Sequence, residues 1–198
     1  MSLILLAISH TPYTLRLTLE VDGKKKNISI LKEDGESVDL PICPSPISEE
    51  IYQELMALEE REKLVKKALS YLEKRPYSKK GLYAKLIEKG AAPPEAKFAV
   101  LAVARYGYFH EKEDIGRVLF QMAETGHGPK KAKRYLLQKG YSSKDIDFAE
   151  EELLEQGVLD WEQAKTRALA KIRSSKKEIP PSKVKSMLAY LGFGDDEW

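Results

Sequence analysis

A chain of 198 residues with 42% hydrophobic and 32% charged side chains has room for one large domain or two small ones, and for a true core. Its one cysteine, Cys43, excludes an internal disulfide and points to a reducing compartment, here read as the cytoplasm. The net charge of +2 averages two unlike regions: residues 1–60 carry 5 basic and 11 acidic side chains, residues 61–198 carry 28 and 20. An acidic head and a basic body suit a polyanionic or acidic protein partner, the alternative being solvated, lysine-rich helix faces.

The chain opens on an apolar run, Leu3-Ile4-Leu5-Leu6-Ala7-Ile8. It is far shorter than the ~20 residues of a membrane span and lacks a basic leader before it, so neither a membrane anchor nor a signal peptide is expected. Leu15, Leu17, Leu19 and Val21 then alternate with Thr14, Arg16, Thr18 and Glu20, the period of a strand. Asp22-Gly23 is a hairpin signal, and Asn27-Ile28-Ser29-Ile30 resumes the alternation. Asp34-Gly35 predicts a second turn and Val38-Leu40-Ile42 a further short strand, completing a meander of three or four strands over residues 1–46. Pro41, Pro44 and Pro46 end that region in a stiff connection.

Ser48 is a predicted N-cap, with Glu49 and Glu50 in the first turn. Ile51, Leu55, Leu58, Val65, Leu69 and Leu72 follow at helical spacing, interrupted by Glu59-Glu60-Arg61-Glu62. The segment is one long helix or two meeting there, with 47–63 as a connecting helix.

From about residue 64 the chain repeats. Leu86-Ile87-Glu88-Lys89-Gly90 returns as Leu136-Leu137-Gln138-Lys139-Gly140 and, more weakly, as Leu188-Ala189-Tyr190-Leu191-Gly192. Gly107 recurs as Gly157. A period near fifty residues predicts a helical repeat architecture. In the first unit, residues 64–112, helix one carries Ala68, Leu69 and Leu72; helix two starts at Ser78, packs Leu82 and Leu86 and ends at Gly90; helix three follows Pro93-Pro94. In the second, residues 113–164, Gly128-Pro129 replaces Ser78-Lys79, and Ala132 and Leu136 replace Leu82 and Leu86. The third, residues 165–198, carries Ala168, Leu169, Ile172, Val184 and Leu188 and stops at Trp198, its third helix missing or reduced to a turn. Trp161 and Trp198 read as packing and terminal residues. The expected fold is mainly α: tandem three-helix repeats, three modules with the last one truncated, preceded by a small β-rich meander.

These residues carry a resemblance: Ala68-x3-Leu72 with Arg75-x2-Ser78, Leu82-x3-Leu86-x2-Lys89-Gly90, Gly107-Tyr108, Gly126-x-Gly128-Pro129 leading to Lys139-Gly140, and Leu159-Asp160. In that combination, residues 64–194 resemble RecX-type regulatory proteins, modulators of the bacterial RecA recombinase. The strand-rich head resembles an N-terminal extension found on some members. One departure is His110-Glu111-Lys112-Glu113-Asp114, where the family is usually Asp-Asp-rich. The resemblance implies a non-enzymatic regulator of recombination and DNA repair that lies in the groove of the RecA–DNA filament and inhibits or modulates it.

The residues add a binding surface. Arg75, Lys79, Lys80, Lys85 and Lys89 lie on or beside helix two of the first unit, Lys130, Lys131, Lys133, Arg134 and Lys139 on that of the second, Lys183 and Lys185 on that of the third. Stacked repeats would set these helices side by side as one discontinuous basic strip, salt-dependent in its contacts with phosphates or an acidic groove. Most of the binding is expected over residues 75–140, with the last repeat acting as a cap. Tyr77, Tyr83, Tyr106, Tyr108, Tyr135 and Tyr141 are interleaved with this charge; Tyr77, Tyr83 and Tyr135 are candidates for base stacking, against the plainer role of half-buried helix residues. No dedicated helix rich in Arg, Asn and Gln is present, so sequence-specific readout is not expected. The three histidines, His10, His110 and His127, lack metal-ligand spacing, Gly126-His127-Gly128-Pro129 lacks the Lys-Ser/Thr ending of a phosphate loop, and Glu150-Glu151-Glu152 points three ways around a helix. No catalysis, cofactor or metal is expected. The partners are the RecA filament and, second, single- or double-stranded DNA; the protein is expected to be a monomer without membrane contact. The rival readings are a DNA-binding protein whose tandem modules act directly on nucleic acid, and a helical scaffold for another protein.

Overall fold

The computed structural model describes residues 2–174 and 179–194. In chain order the elements are β1 (Leu3–His10), β2 (Thr14–Val21), β3 (Lys24–Leu31), α1 (Lys32–Gly35), β4 (Ser45–Pro46), α2 (Glu49–Lys74), α3 (Lys79–Glu88), α4 (Pro93–Arg105), α5 (Glu111–Glu124), α6 (Pro129–Gln138), α7 (Ser143–Glu155), α8 (Trp161–Arg173) and α9 (Pro181–Leu191). This is the expected class, mainly helical behind a small antiparallel sheet. The chain forms two compact units: one runs through Tyr71 and takes in Leu86–Tyr106, the other comprises Leu72–Lys85 and the chain from Gly107 on.

In the first unit the sheet runs in the order β3-β2-β1-β4. The period-two pattern sets its register: Leu17 faces Ile28, Leu15 faces Ile30, and Leu5 faces Leu19. Asp22 and Gly23 both have positive φ, 48° and 78°, as a two-residue type I′ hairpin requires. Leu3, Leu5, Leu15, Leu17, Leu19, Ile28 and Ile30 form one buried cluster with Tyr52, Leu55 and Leu58 of α2. Here α2 is a single helix of 26 residues. The acidic interruption does not break it, because Glu62, only 2% exposed, is paired with Lys66 at 2.6 Å and accepts from Ser29 Oγ at 3.1 Å. The sheet and α4 belong to the same unit: the Arg105 guanidinium reaches Glu33 at 2.6 Å, and the rings of Tyr13 and Tyr106 meet edge-on at 5.2 Å.

One local expectation fails and another takes a specific form. The turn at Asp34-Gly35 is the single-turn helix α1, with Gly35 pressed onto β2: a Cβ there would collide with Leu15 Cδ1. Val38-Leu40-Ile42 is not a strand. Leu40 N–H donates to the Val38 carbonyl in a tight turn, and Pro41 has no N–H for a ladder. The fourth strand is instead Ser45–Pro46, paired with Leu5 and Ile4 of β1, and Pro46 is tolerated on its outer edge.

In the second unit a single core joins Ile115, Leu119 and Ala123 of α5, Ala132 and Leu136 of α6, Ile146 and Ala149 of α7, Ala164, Ala168 and Ile172 of α8, and Leu188 of α9. Across the whole chain the recurring Lys-Gly or Leu-Gly ends are three copies of one cap. Ala91, Tyr141 and Phe193 donate their N–H groups to the carbonyls of Leu86, Leu136 and Leu188, at 3.1, 3.2 and 3.1 Å. Gly90, Gly140 and Gly192 take the left-handed conformation that this closure needs. Ser78 caps α3, its Oγ accepting from Gly81 N–H at 2.9 Å. In the third repeat α8 and α9 are described; the expectations for Trp198 and for a reduced last helix fall on the chain's end, where residues 195–198 lie outside the described part.

Candidate nucleic-acid and partner interface

Within the second unit, the second helices of successive repeats meet end to end. At one joint the start of α3 abuts the end of α6: Ser78 Oγ donates to the Lys139 carbonyl at 2.8 Å. A Cβ on Gly81 would lie 2.7 Å from that same oxygen, and one on Gly140 would lie 2.8 Å from Ser78 Oγ. At the other joint the start of α6 abuts the end of α9: Gly128 N–H donates to the Leu191 carbonyl at 2.8 Å and Lys130 N–H to the Gly192 carbonyl at 3.2 Å. A Cβ on Gly192 would lie 2.5 Å from Lys131 N. Each joint sets the positive end of one helix dipole against the negative end of the next. The expected side-by-side packing is therefore corrected. Glycines at the touching positions let backbone approach backbone, so the helices follow one another instead of lying in parallel rows.

Between the two joints, α6 turns Ala132 and Leu136 into the core and leaves Lys130 and Arg134 exposed one turn apart. Four of its ten residues are cationic and none is acidic. Lys131 lies 4.9 Å above the ring of Tyr190, which is 80% exposed. Lys133 differs: its ammonium is bound to Asp147 of α7, and that hydrogen bond holds the Asp147 carboxyl below its ordinary range. At the start of α3, past its joint with the end of α6, Lys79 and Lys80 are exposed; the backbone N–H of Lys79 donates to Glu111 at 2.8 Å and its ammonium lies 5.9 Å from the ring of Phe109. Lys183 and Lys185 are exposed on α9, Lys85 is half-buried, and Lys89, which lies in the other unit, sits 3.5 Å from its neighbour Glu88.

Four of the anticipated residues converge. Arg75, Tyr77, Tyr135 and Lys139 line one groove of about 170 Å³ with Pro76, Val118 and Tyr141. The Arg75 guanidinium stacks 4.5 Å from the centre of the Tyr77 ring, and the Lys139 ammonium 5.2 Å from that of Tyr135. Tyr135 is 42% exposed, whereas Tyr141 is buried. Burial first, then the negative charge of Asp114 and Glu111, pushes the Tyr141 hydroxyl up to about 12, so it is a neutral donor at any ordinary pH. Asp114 is itself buried, which raises its carboxyl despite Arg117 at 3.5 Å. Tyr83 is half-buried and does not line this groove. Sequence reasoning missed Val118 as a wall and Gly81 and Gly128 as contact points; the available signal was a glycine within or just before the first turn of a helix, where a close neighbour is a common reason for one.

Among the described residues no group of three or more His, Cys, Asp or Glu is placed to hold a metal, and no helix is long and apolar enough to cross a membrane. No protein-family model and no curated protein matches the sequence. The structure is similar to the crystal structure of regulatory protein RecX, with a TM-score of 0.73 at 19% identity, over 99% of this chain and 96% of that one. The chain has the fold of that regulatory protein.

Proposed function

We propose that the protein is a non-enzymatic, monomeric, cytoplasmic regulator of the RecX type, which binds the RecA nucleoprotein filament and lowers its ATPase and strand exchange. The observation that carries this reading is α6, a cationic helix without an acidic residue, clamped at both ends in a fold shared with a regulatory protein. The basic strip of the proposal comprises Arg75, Lys79, Lys80, Lys130, Lys131, Arg134 and Lys139, with Lys183 and Lys185 at its far end. Lying against the filament, it would bridge neighbouring protomers and block growth or hold an inactive state. Lys133 contributes least, because Asp147 already neutralises it.

The test is RecA ATPase on single-stranded DNA. Half-inhibition is expected well below one molecule per recombinase protomer. Charge reversal at Lys130, Lys131 and Arg134 together should raise the required concentration at least tenfold and flatten its dependence on salt. A folded wild-type chain without effect at equimolar concentration removes the proposal. The second reading, a protein acting directly on DNA, is favoured by the tyrosine groove; it expects comparable affinity for naked DNA without RecA.

A further inference from the structure

We infer that the groove between Tyr77 and Tyr135 is a seat for one nucleotide unit, an unstacked base with its adjoining phosphate. The inference rests on the reading of this face as a polyanion-binding surface and gives it a discrete ligand. The groove, at about 170 Å³, is smaller than the ~300–1,000 Å³ of sites for drug-sized molecules, and so suits one planar group. Its lining holds three tyrosines, the apolar Val118 and Pro76, two cations and no carboxylate. Each cation is stacked over a ring, Arg75 over Tyr77 and Lys139 over Tyr135, which fixes positive charge beside the aromatic surface. That arrangement is what a base and a phosphate require together: a π face to replace the lost stack, and a charge one backbone bond away. No side-chain amide or carboxylate lines the groove, so it holds none of the groups that read adenine or cytosine edges.

A nucleotide unit comes from a single strand or from free nucleotide, and one experiment on the full chain separates the sources. Binding of a fluorescent oligothymidylate is compared with that of an abasic oligomer of equal length, for wild type, Tyr135→Ala and Tyr135→Phe, with thymidine monophosphate as competitor. Tyr135→Ala should weaken the thymidylate about tenfold, leave the abasic oligomer within about twofold, and be rescued by Tyr135→Phe. Displacement by the mononucleotide supports the seat and admits free nucleotide as a ligand; absence of displacement, with the Tyr135→Ala effect intact, supports it and confines it to strands. Equal weakening of both oligomers, or of neither, overturns the inference. So does loss of RecA inhibition in Tyr135→Ala with thymidylate binding unchanged, which would give the groove to a protein side chain. If charge reversal on α6 abolishes RecA inhibition while Tyr135→Ala changes no binding, the seat falls and the proposed function stands.

Discussion

The two joints of the second unit perform one task by different chemistry. Where α6 meets α3, a side chain makes the link: buried Ser78 accepts from its own helix and donates to the Lys139 carbonyl. Where α9 meets α6, fifty residues further along, Gly128 stands at the serine's position and the backbone makes the link itself, through the N–H groups of Gly128 and Lys130. Main chain approaches main chain at both joints, but at the serine joint the bond across it runs through a hydroxyl, and at the glycine joint through backbone N–H groups alone. The repeat thus conserves the contact rather than the residue, and the two joints should fail differently.

The largest effect is expected from Gly192→Ala. Its φ of +97° costs an L residue about 1–2 kcal/mol. The new Cβ would also stand 2.5 Å from the backbone nitrogen of Lys131, an overpacking cost of similar size. A loss of about 3 kcal/mol is expected in chemical denaturation, with faster exchange of the Gly128 and Lys130 amides. A loss near that of a conformational penalty alone would show the glycine joint to be loose. Ser78→Ala comes next, at about 2 kcal/mol, because it removes a cap and leaves the Lys139 carbonyl without the serine's donor. Exchange at Gly81 should rise while Gly128 stays protected; if both rise together, the joints open as one. Gly90→Ala is the control and the smallest effect. Gly90 has the same left-handed conformation, φ +88°, but a Cβ added there would meet no neighbour within 4 Å, so only the conformational cost of about 1 kcal/mol applies. The difference between Gly192→Ala and Gly90→Ala isolates the contact from the backbone strain.

The fifty-residue recurrence of Gly90, Gly140 and Gly192 is readable in sequence because a C-terminal cap is local: a single short segment contains all its bonds. The hairpin at Asp22-Gly23 is readable for the same reason. Less is readable where distant packing decides. Asp34-Gly35 carries turn chemistry, and the turn it makes is helical, with Gly35 pressed against Leu15. Val38-Leu40-Ile42 has a strand's alternation, but Pro41 cannot enter a ladder and β1 pairs instead with Ser45–Pro46. At the candidate interface, charge on α6 was visible from composition, whereas its end-to-end placement depends on how one repeat is set on the next. Only the glycines at 81 and 128 carried a trace of that. The groove gathers Arg75 and Tyr77 with Tyr135 and Lys139, far apart in the chain, and no spacing rule connects them.

Clamped at both ends, α6 acts as a gauge. Ten residues at about 1.5 Å each separate its joints by about 15 Å. Lys130 and Lys131 stand at one mark, Lys139 with Lys79 and Lys80 at the other. Duplex DNA carries a charge every ~1.7 Å of axis, so the interval spans roughly nine phosphates. If this face binds a polyanion as proposed, adding one turn to α6 would move its two groups of cations about 5.4 Å further apart and out of step with the charges of the target.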